Sequence, residues 1–330
     1  MPQHPLSRRT LLKAGMLALP GSHGLHAQAQ DSGIARIMLG SPPGSALDVV
    51  CRFVAEGIQP TYARSAIVET RSGASGQIAV GVVKSAPADG MTILATPMPH
   101  MGIFPYSYRK LPYDPIADFA AVGMGAKFDL AFAVGPAVPA SVKTMANFMA
   151  WCKGRPGGGS FGSPAAGSTP HFVGAMAARS AGIELTHIPY RGPTPAVTDL
   201  IGGQIAAACA AVGDFLPYVQ AGRCRVLATT GRHRSSFVPD APTFIEQGFK
   251  DLVLDDWFGF FVPRKTPDAQ VDKLSAALRT ALARPEAVKG FAERGLVPAW
   301  STPAELAARV QADQAKWGPI VKSFGFTAES

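Results

Sequence analysis

Charge is scarce in this chain: 16% of its 330 residues are Asp, Glu, Lys or Arg, against the ~25% usual for globular proteins. The 47% of hydrophobic residues is enough to build a core, which excludes a disordered chain. Long uninterrupted helices are lacking too, because the 35 Gly and 29 Pro puncture every extended run and exclude a coiled coil. No stretch approaches the ~18 consecutive apolar residues that a membrane-spanning helix needs. Cysteine is rare as well, and Cys51, Cys152, Cys209 and Cys224 show no C-x-x-C spacing, so neither a zinc site nor a thioredoxin-type motif is supported. Cys209 with Cys224 is the best pair for a disulfide, but free buried thiols are the expected state. The seven His show no metal-ligand spacing, and H-E-x-x-H, P-loop and G-x-G-x-x-G motifs are absent, so neither metal nor cofactor is expected.

What the chain does have is a positive balance of +8. A nucleic-acid surface would gather Lys and Arg on one face. Here they are scattered, with one tight knot at Arg232-His233-Arg234, so no nucleic-acid partner is predicted. The first thirty residues account for part of the balance. Ser7-Arg8-Arg9-Thr10-Leu11-Leu12-Lys13 has the form of a twin-arginine export signal, a weakly apolar stretch runs from Ala14 to Leu25, and Ala27-Gln28-Ala29 offers an A-x-A cleavage site. Cleavage after Ala29 removes three basic residues and no acid, leaving 28 basic against 23 acidic residues, or +5. No Cys lies near the cleavage point, so a lipid anchor is not expected, and the reading is an exported, periplasmic chain.

Apolar spacing then alternates between strand and helix. Ile34–Gly40 reads as a strand, Leu47, Val50, Cys51, Val54 and Ile58 as a helix seam, Ile67–Glu69 as a strand, Ser75–Ala86 as a helix and Thr92–Thr96 as a strand. Such a β-α-β-α-β series implies a parallel sheet covered by helices. Ala120–Val134 reads as one further strand. Beyond a helix near Lys143–Cys152 and the glycine patch 154–159, the alternation resumes with strands at Ser160–Ser163, His187–Pro189, Ile205–Val212, Arg225–Thr230 and Trp257–Val262. Helices are expected at about Pro170–Ala181 and Ala196–Gly202. Two more close the chain, starting at Thr266-Pro267 and at Thr302-Pro303-Ala304-Glu305, the second with a capping box.

Two loops rich in Gly, Pro and small hydroxyls carry the chemistry. In Pro42-Pro43-Gly44-Ser45-Ala46-Leu47-Asp48 the chain turns at Gly44, Ser45 can cap the helix and Asp48 holds the capping-box position. In Gly162-Ser163-Pro164-Ala165-Ala166-Gly167-Ser168-Thr169-Pro170-His171, Thr169 suits the cap and Pro170 the first turn. Both loops bring backbone N–H groups and hydroxyls to a helix N-terminus, a setting that favours an anion without Lys or Arg.

These loops, with Val68-Glu69-Thr70-Arg71-Ser72-Gly73-Ala74-Ser75-Gly76, Ala88-Asp89-Gly90-Met91-Thr92-Ile93-Leu94, Leu111-Pro112-Tyr113-Asp114-Pro115, Asp118-Phe119, His187-Ile188-Pro189-Tyr190-Arg191-Gly192, Asp199-Leu200-Ile201-Gly202-Gly203-Gln204, Pro242-Thr243, Trp257-Phe258-Gly259 and Lys316-Trp317, give a chain that resembles the substrate-binding proteins of tripartite tricarboxylate transporters, the Bug family. The resemblance covers nearly all of the sequence after the leader. It implies an α/β fold like the type II periplasmic binding proteins, with two lobes, each a central β-sheet flanked by helices, and a cleft between them. Residues 30–132 and 232–330 would form lobe I and residues 133–231 lobe II. It also implies a small carboxylate held between the two loops near the segment after the third strand, delivery to membrane transporter subunits, no enzymatic activity and a monomer. A sensor that contacts a membrane kinase is the alternative partner reading.

The chain departs from the family pattern where Gly-Gly is replaced by Gly44-Ser45, where Pro and Gly give way to Ser72 and Ser75, and where a polar segment becomes Pro97-Met98-Pro99-His100-Met101. That last change leads us to expect a ligand with an apolar or aromatic body. The expected ligand contacts are Ser163, Ser168 and Thr169, the Gly44 amide and Ser45, and Pro99. Arg191 either pairs with a distal carboxylate or lies on the surface, and Asp214 either reaches the cleft or caps the next turn. Asp48 is read as a cap, since it would repel an anion; His171 is read as packing in its helix and Trp257 as a core or hinge aromatic. A rival enzyme reading rests on Gly158-Gly159-Ser160-Phe161-Gly162, which matches the G-x-S-x-G elbow of α/β hydrolases with Ser160 as nucleophile. Lys153-Gly154-Arg155-Pro156-Gly157 before it cannot supply the hydrophobic strand that the elbow needs.

Overall fold

Apolar alternation and helical seams are realised in a computed structural model that describes residues 33–59, 61–155 and 159–328. The expected leader, its cleavage point and Pro156, Gly157 and Gly158 lie outside the described residues. The chain opens with β1 (Ile34–Leu39), α1 (Ala46–Ile58), β2 (Ser65–Thr70), α2 (Gln77–Lys84) and β3 (Thr92–Pro97). Short helices α3 (Met98–Gly102) and α4 (Phe104–Ser107) lead to β4 (Phe119–Phe128). A second series runs β5 (Leu130–Val134), α5 (Met145–Lys153), β6 (Gly159–Ser163), α6 (Thr169–Ser180), β7 (Leu185–Pro189), α7 (Pro193–Ile201), β8 (Ala207–Ala211), α8 (Val212–Gln220) and β9 (Arg225–Thr229). The chain closes with β10 (Asp256–Pro263), α9 (Asp268–Leu282), α10 (Pro285–Ala292), β11 (Val297–Pro298) and α11 (Pro303–Phe324).

These strands form two sheets, one of six strands in the order β11-β4-β10-β3-β1-β2 and one of five in the order β7-β6-β8-β5-β9. In the first, β1 runs parallel to both β2 and β3, with Ile37 opposite Val68 and Ile93, while β10 is antiparallel to β3 and β4. In the second, β6 is parallel to β7 and β8, and β5 is antiparallel to β8 and β9. The α1 seam works as its spacing predicts: Leu47, Val50, Cys51, Val54 and Ile58 are all buried, each side chain stabilising the fold by roughly 1.5–3 kcal/mol. Trp257 is fully buried on β10, and its indole N–H donates to Asp313 Oδ2 at 2.8 Å, which satisfies the one polar atom of the ring. Helix α11 starts with the expected capping box, Thr302 Oγ1 accepting from Glu305 N at 3.2 Å and Glu305 Oε2 accepting from Thr302 N at 2.8 Å. All four cysteines are free and buried.

Several expectations are corrected. Ala120–Val134 is two strands, one in each sheet, because the chain breaks at Asp129. Asp129 is a poor strand former; its carbonyl accepts from Val212 N, and its carboxylate lies over Gly231, where a Cβ would come within 2.8 Å of Oδ2. Pro97-Met98-Pro99-His100-Met101 contains a helical turn, with Pro99 in the first turn where no N–H is needed. Helix α8 holds Pro217 inside it, which hides it from a reading that treats Pro as a breaker. Three helices rather than two follow β10, the additional one being α10. Thr169 is the first residue of α6 and not its cap; Ser168 occupies the cap position.

Candidate functional site

Parallel strands all point their C-terminal ends one way, and the loops that leave those ends are where open α/β sheets gather ligands. Here these are residues 40–45 after β1, 71–76 after β2, α3 after β3, 164–168 after β6 and 190–192 after β7. Loops of the two sheets touch. A Cβ on Gly192 would lie 3.4 Å from the Pro42 ring, and a Cβ on Gly167 would lie 2.8 Å from Ser107 Oγ. Loops of the first sheet pack backbone to backbone, since a Cβ on Gly40 would fall 2.4 Å from Gly76 Cα. Residues 73–76 all have positive φ, including the non-glycines Ala74 (44°) and Ser75 (54°), a conformation that costs on the order of 1–3 kcal/mol per non-glycine residue and gathers at ligand sites. Ser75 O accepts from His100 Nε2 at 2.9 Å, which ties that turn to α3.

The N-terminus of α1 is occupied from within, although Asp48 Oδ1 is buried there without a partner. Ser45 caps it, its Oγ accepting from Asp48 N at 3.4 Å. Asp48 reaches back one residue further than a capping box requires, accepting from Gly44 N at 2.9 Å and from Arg52 Nε at 2.9 Å. The Gly44 amide, expected to meet the ligand, therefore holds an internal carboxylate. Asp48 is buried as a cap.

The N-terminus of α6 is different. Ser168 stands at the cap with no side-chain hydrogen bond to the helix, and the first turn holds no acid. Its hydroxyl donates instead to Ala165 O at 2.7 Å, and Ser163 Oγ donates to the same carbonyl at 3.0 Å. With the Ser163 proton so used, the 2.8 Å contact with His187 is donated by His187 Nε2–H. Gly167 N donates to His171 Nδ1 at 3.1 Å, so His171 carries its proton on Nε2. The two imidazoles stack with centroids 3.8 Å apart. Burial lowers His171 to about 4, and burial together with His171 lowers His187 to about 3, so both are neutral at pH 7. This neutral pair shapes the 163–168 loop, and packing within the helix start is the role of His171. The opening turn of α6 is left with backbone N–H groups that no side chain accepts from.

Two hydroxyls bound this opening. Ser107 Oγ and Thr169 Oγ1 are fully buried and make no hydrogen bond of ordinary length, an unusual state for buried polar atoms. Thr169 faces the carboxyl of Asp256 at the start of β10. Asp256 is itself buried and accepts from Trp257 N at 2.8 Å. Burial pushes its carboxyl up to about 7, with the carboxylates of Asp313 and Asp255 adding to the shift against the hydrogen bonds from Thr169 and Trp257. Gln77 Nε2 at the uncapped start of α2, Asp48 Oδ1 and His100 Nδ1 are further buried polar atoms without a partner.

Of the other expected residues, Pro99 is buried in α3, Arg191 is exposed in the 190–192 turn, and Asp214 is half-buried in the first turn of α8. Burial raises Asp214 to about 7, against the Ala211 backbone hydrogen bond and the charge of Arg294. Ser160 is the second residue of β6 and lies inside the strand, away from any strand-to-helix elbow. Ser107, Gln77, His187 and Asp256 were not singled out from the sequence. None sits in a glycine-rich loop, and only the tertiary contacts of Ser107 with Gly167 and of Asp256 with Thr169 reveal them.

Among the described residues no helix is long and apolar enough to cross a membrane, and no cluster of His, Cys, Asp or Glu could hold a metal ion. The family model described as "Tripartite tricarboxylate transporter family receptor" matches residues 50–326. A UPF0065 protein of Agrobacterium vitis, from the TAR-I ttuE-ttuC' intergenic region, is 33% identical over 91% of this chain and 87% of its own length. Protein BugT of Bordetella pertussis is 28% identical over 86% of this chain and 87% of its own. The structure of R. palustris Rpa4515 with adipate superposes with a TM-score of 0.83 at 28% identity, covering 90% of this chain and 98% of that one. The chain belongs to the tripartite tricarboxylate transporter receptor family, the periplasmic solute-binding proteins of the TctC and Bug type.

Proposed function

We propose that this protein captures a small carboxylate with an apolar body at the opening turn of α6 and presents it to membrane transporter subunits. The observation that carries the reading is the uncapped N-terminus of α6 together with the buried, unpartnered hydroxyls of Thr169 and Ser107. Unused N–H groups, a helix dipole, the free Ser107 hydroxyl and the Thr169 hydroxyl beside Asp256 form an anion site that needs no formal positive charge. The segments that build the six-stranded sheet act as one lobe and those from β5 to β9 that build the five-stranded sheet as the other, and closure of the cleft shields these hydrogen bonds from water. Ser163, Ser168 and the Gly44 amide, whose donors are already used, and Ser45, whose hydroxyl oxygen accepts from Asp48 N, shape the site, while Arg191 meets a distal carboxylate from the exposed turn. The leader directs export by the twin-arginine route, with cleavage after Ala29.

Helix α3 brings Met98, Pro99 and Met101 to the segment after β3, with no charged side chain among its five residues. A relative holds adipate, two carboxylates on a methylene chain, and that architecture suits this lining. Calorimetric titration of the ligand-free protein with adipate, benzoate and citrate tests the reading. Adipate or benzoate should bind at least tenfold more tightly than citrate. Citrate binding as tightly as either removes the apolar-body assignment, and heat from none of them removes the carboxylate assignment.

A further inference from the structure

Asp256 faces Thr169, the first residue of α6. Its carboxyl is buried, it accepts from Trp257 N, and it belongs to the first sheet while Thr169 opens a helix packed on the second. Arg309 is engaged by the neighbouring acids: its Nε donates to Asp313 Oδ2 at 3.0 Å and its Nη2 to Asp255 Oδ1 at 3.2 Å. We propose that capture of the ligand carboxylate is linked to uptake of one proton by Asp256. This rests on the carboxylate reading given above.

The argument is electrostatic. A ligand carboxylate on the first turn of α6 and an ionised Asp256 would place two anions around one residue in a site closed to water. Like charges so arranged push one carboxyl to take a proton. The surroundings of Asp256 offer no other relief. From α11 it faces the carboxylate of Asp313, whose charge is shared with Arg309 and the more distant Lys316. From its own strand's entry it faces Asp255, which pairs with Arg309 and lies 3.8 Å from Lys127. From β8 comes the Cys209 thiol, which burial and Asp256 keep protonated. From α6 comes the neutral Thr169 hydroxyl. A protonated Asp256 also changes what Thr169 can do: the acid can donate, and the threonine proton is then free to turn toward the ligand. Burial already holds the group near pH 7 in the ligand-free protein, so the switch lies within reach of periplasmic pH.

The test is calorimetry with adipate and with benzoate at pH 7, in buffers of high and low ionisation enthalpy, followed by affinity measurements from pH 6 to pH 8. Half-protonated Asp256 that becomes fully protonated takes up about half a proton per ligand at pH 7. Affinity then weakens about tenfold between pH 6 and pH 8. Asp256→Asn, which mimics the protonated acid, should abolish the buffer dependence and flatten the pH profile. Binding by the wild-type protein without proton uptake overturns the linkage and leaves the carboxylate reading standing. Uptake that persists in Asp256→Asn overturns the assignment to Asp256. The absence of binding for both acids overturns the carboxylate reading, and the linkage falls with it. The wild-type measurement decides the linkage even where the variant does not fold.

Discussion

Ser107 carries a buried hydroxyl that nothing in the ligand-free protein uses, whereas the Thr169 hydroxyl is turned toward Asp256. A buried hydroxyl without a partner destabilises the fold, so its removal should cost nothing in stability or slightly raise it. The same hydroxyl donating to a charged ligand is worth ~1.5–3 kcal/mol. Ser107→Ala should therefore leave the melting temperature of the ligand-free protein unchanged or higher, and weaken adipate binding about tenfold or more. A thermal melt and a calorimetric titration on the same preparation check both halves. A lowered melting temperature with unchanged affinity would show Ser107 to be a packing residue only. Ser163 and Ser168 behave differently because their protons already go to Ala165 O. Short-range competition of this kind is typical of serine in turns, where the backbone two or three residues away is always within reach.

At the scale of elements, α1 and α6 differ in what fills their first turns, and the proposed anion site rests on that contrast. Both follow a strand through a short loop, and from sequence both present small hydroxyls to a helix start. Asp48 fills the first from within, held by Gly44 N, by the cap and by Arg52. Asp48→Ala should lower stability by about 1–2 kcal/mol, as the loss of a helix cap does, a fall of about 2–4 °C in melting temperature for a chain of this size. Scanning calorimetry measures it. An unchanged melting temperature would mean that the capping bonds contribute nothing net. The βα series that builds both loops was legible because parallel strands and their covering helices write their period directly into the sequence, as the buried seam of α1 shows. Helices α3 and α8 were not legible, since each contains a proline that local rules read as a break. The strand break at Asp129 lies in a mostly apolar run interrupted by Lys127 and Asp129. What divides it is a tertiary arrangement, Val212 N on the Asp129 carbonyl and Gly231 under its carboxylate. The site was half legible for a similar reason. Loop hydroxyls mark themselves by composition, whereas Ser107 and Asp256 acquire meaning only from what another segment brings against them.

On the scale of the whole molecule, buried titrating groups of opposite kinds act against each other. Burial raises Asp214 and Asp256 to about 7 and Asp129 to about 6. The folded chain thus keeps protons that the unfolded chain releases above about pH 4, and stability falls as pH rises from there toward 7. Burial lowers His100 and His171 to about 4 and His187 to about 3. The folded chain refuses protons that the unfolded chain binds below about pH 6.5, so these groups make stability rise with pH from about 4 to 6.5. The two slopes oppose each other across that interval, and the wild-type melting temperature should be nearly flat there. Above pH 6.5 the histidines fall silent while Asp214 and Asp256 still ionise, so stability should decline toward pH 8. Asp214→Asn removes one ionisation without removing the helix it opens. Relative to wild type, the variant should gain melting temperature from about pH 4 to pH 7 and hold that gain above pH 7, with little difference below pH 4. A pH series of thermal melts on both proteins checks the sign, and a variant curve parallel to the wild type would show that Asp214 ionises in the folded chain as it does in the unfolded one.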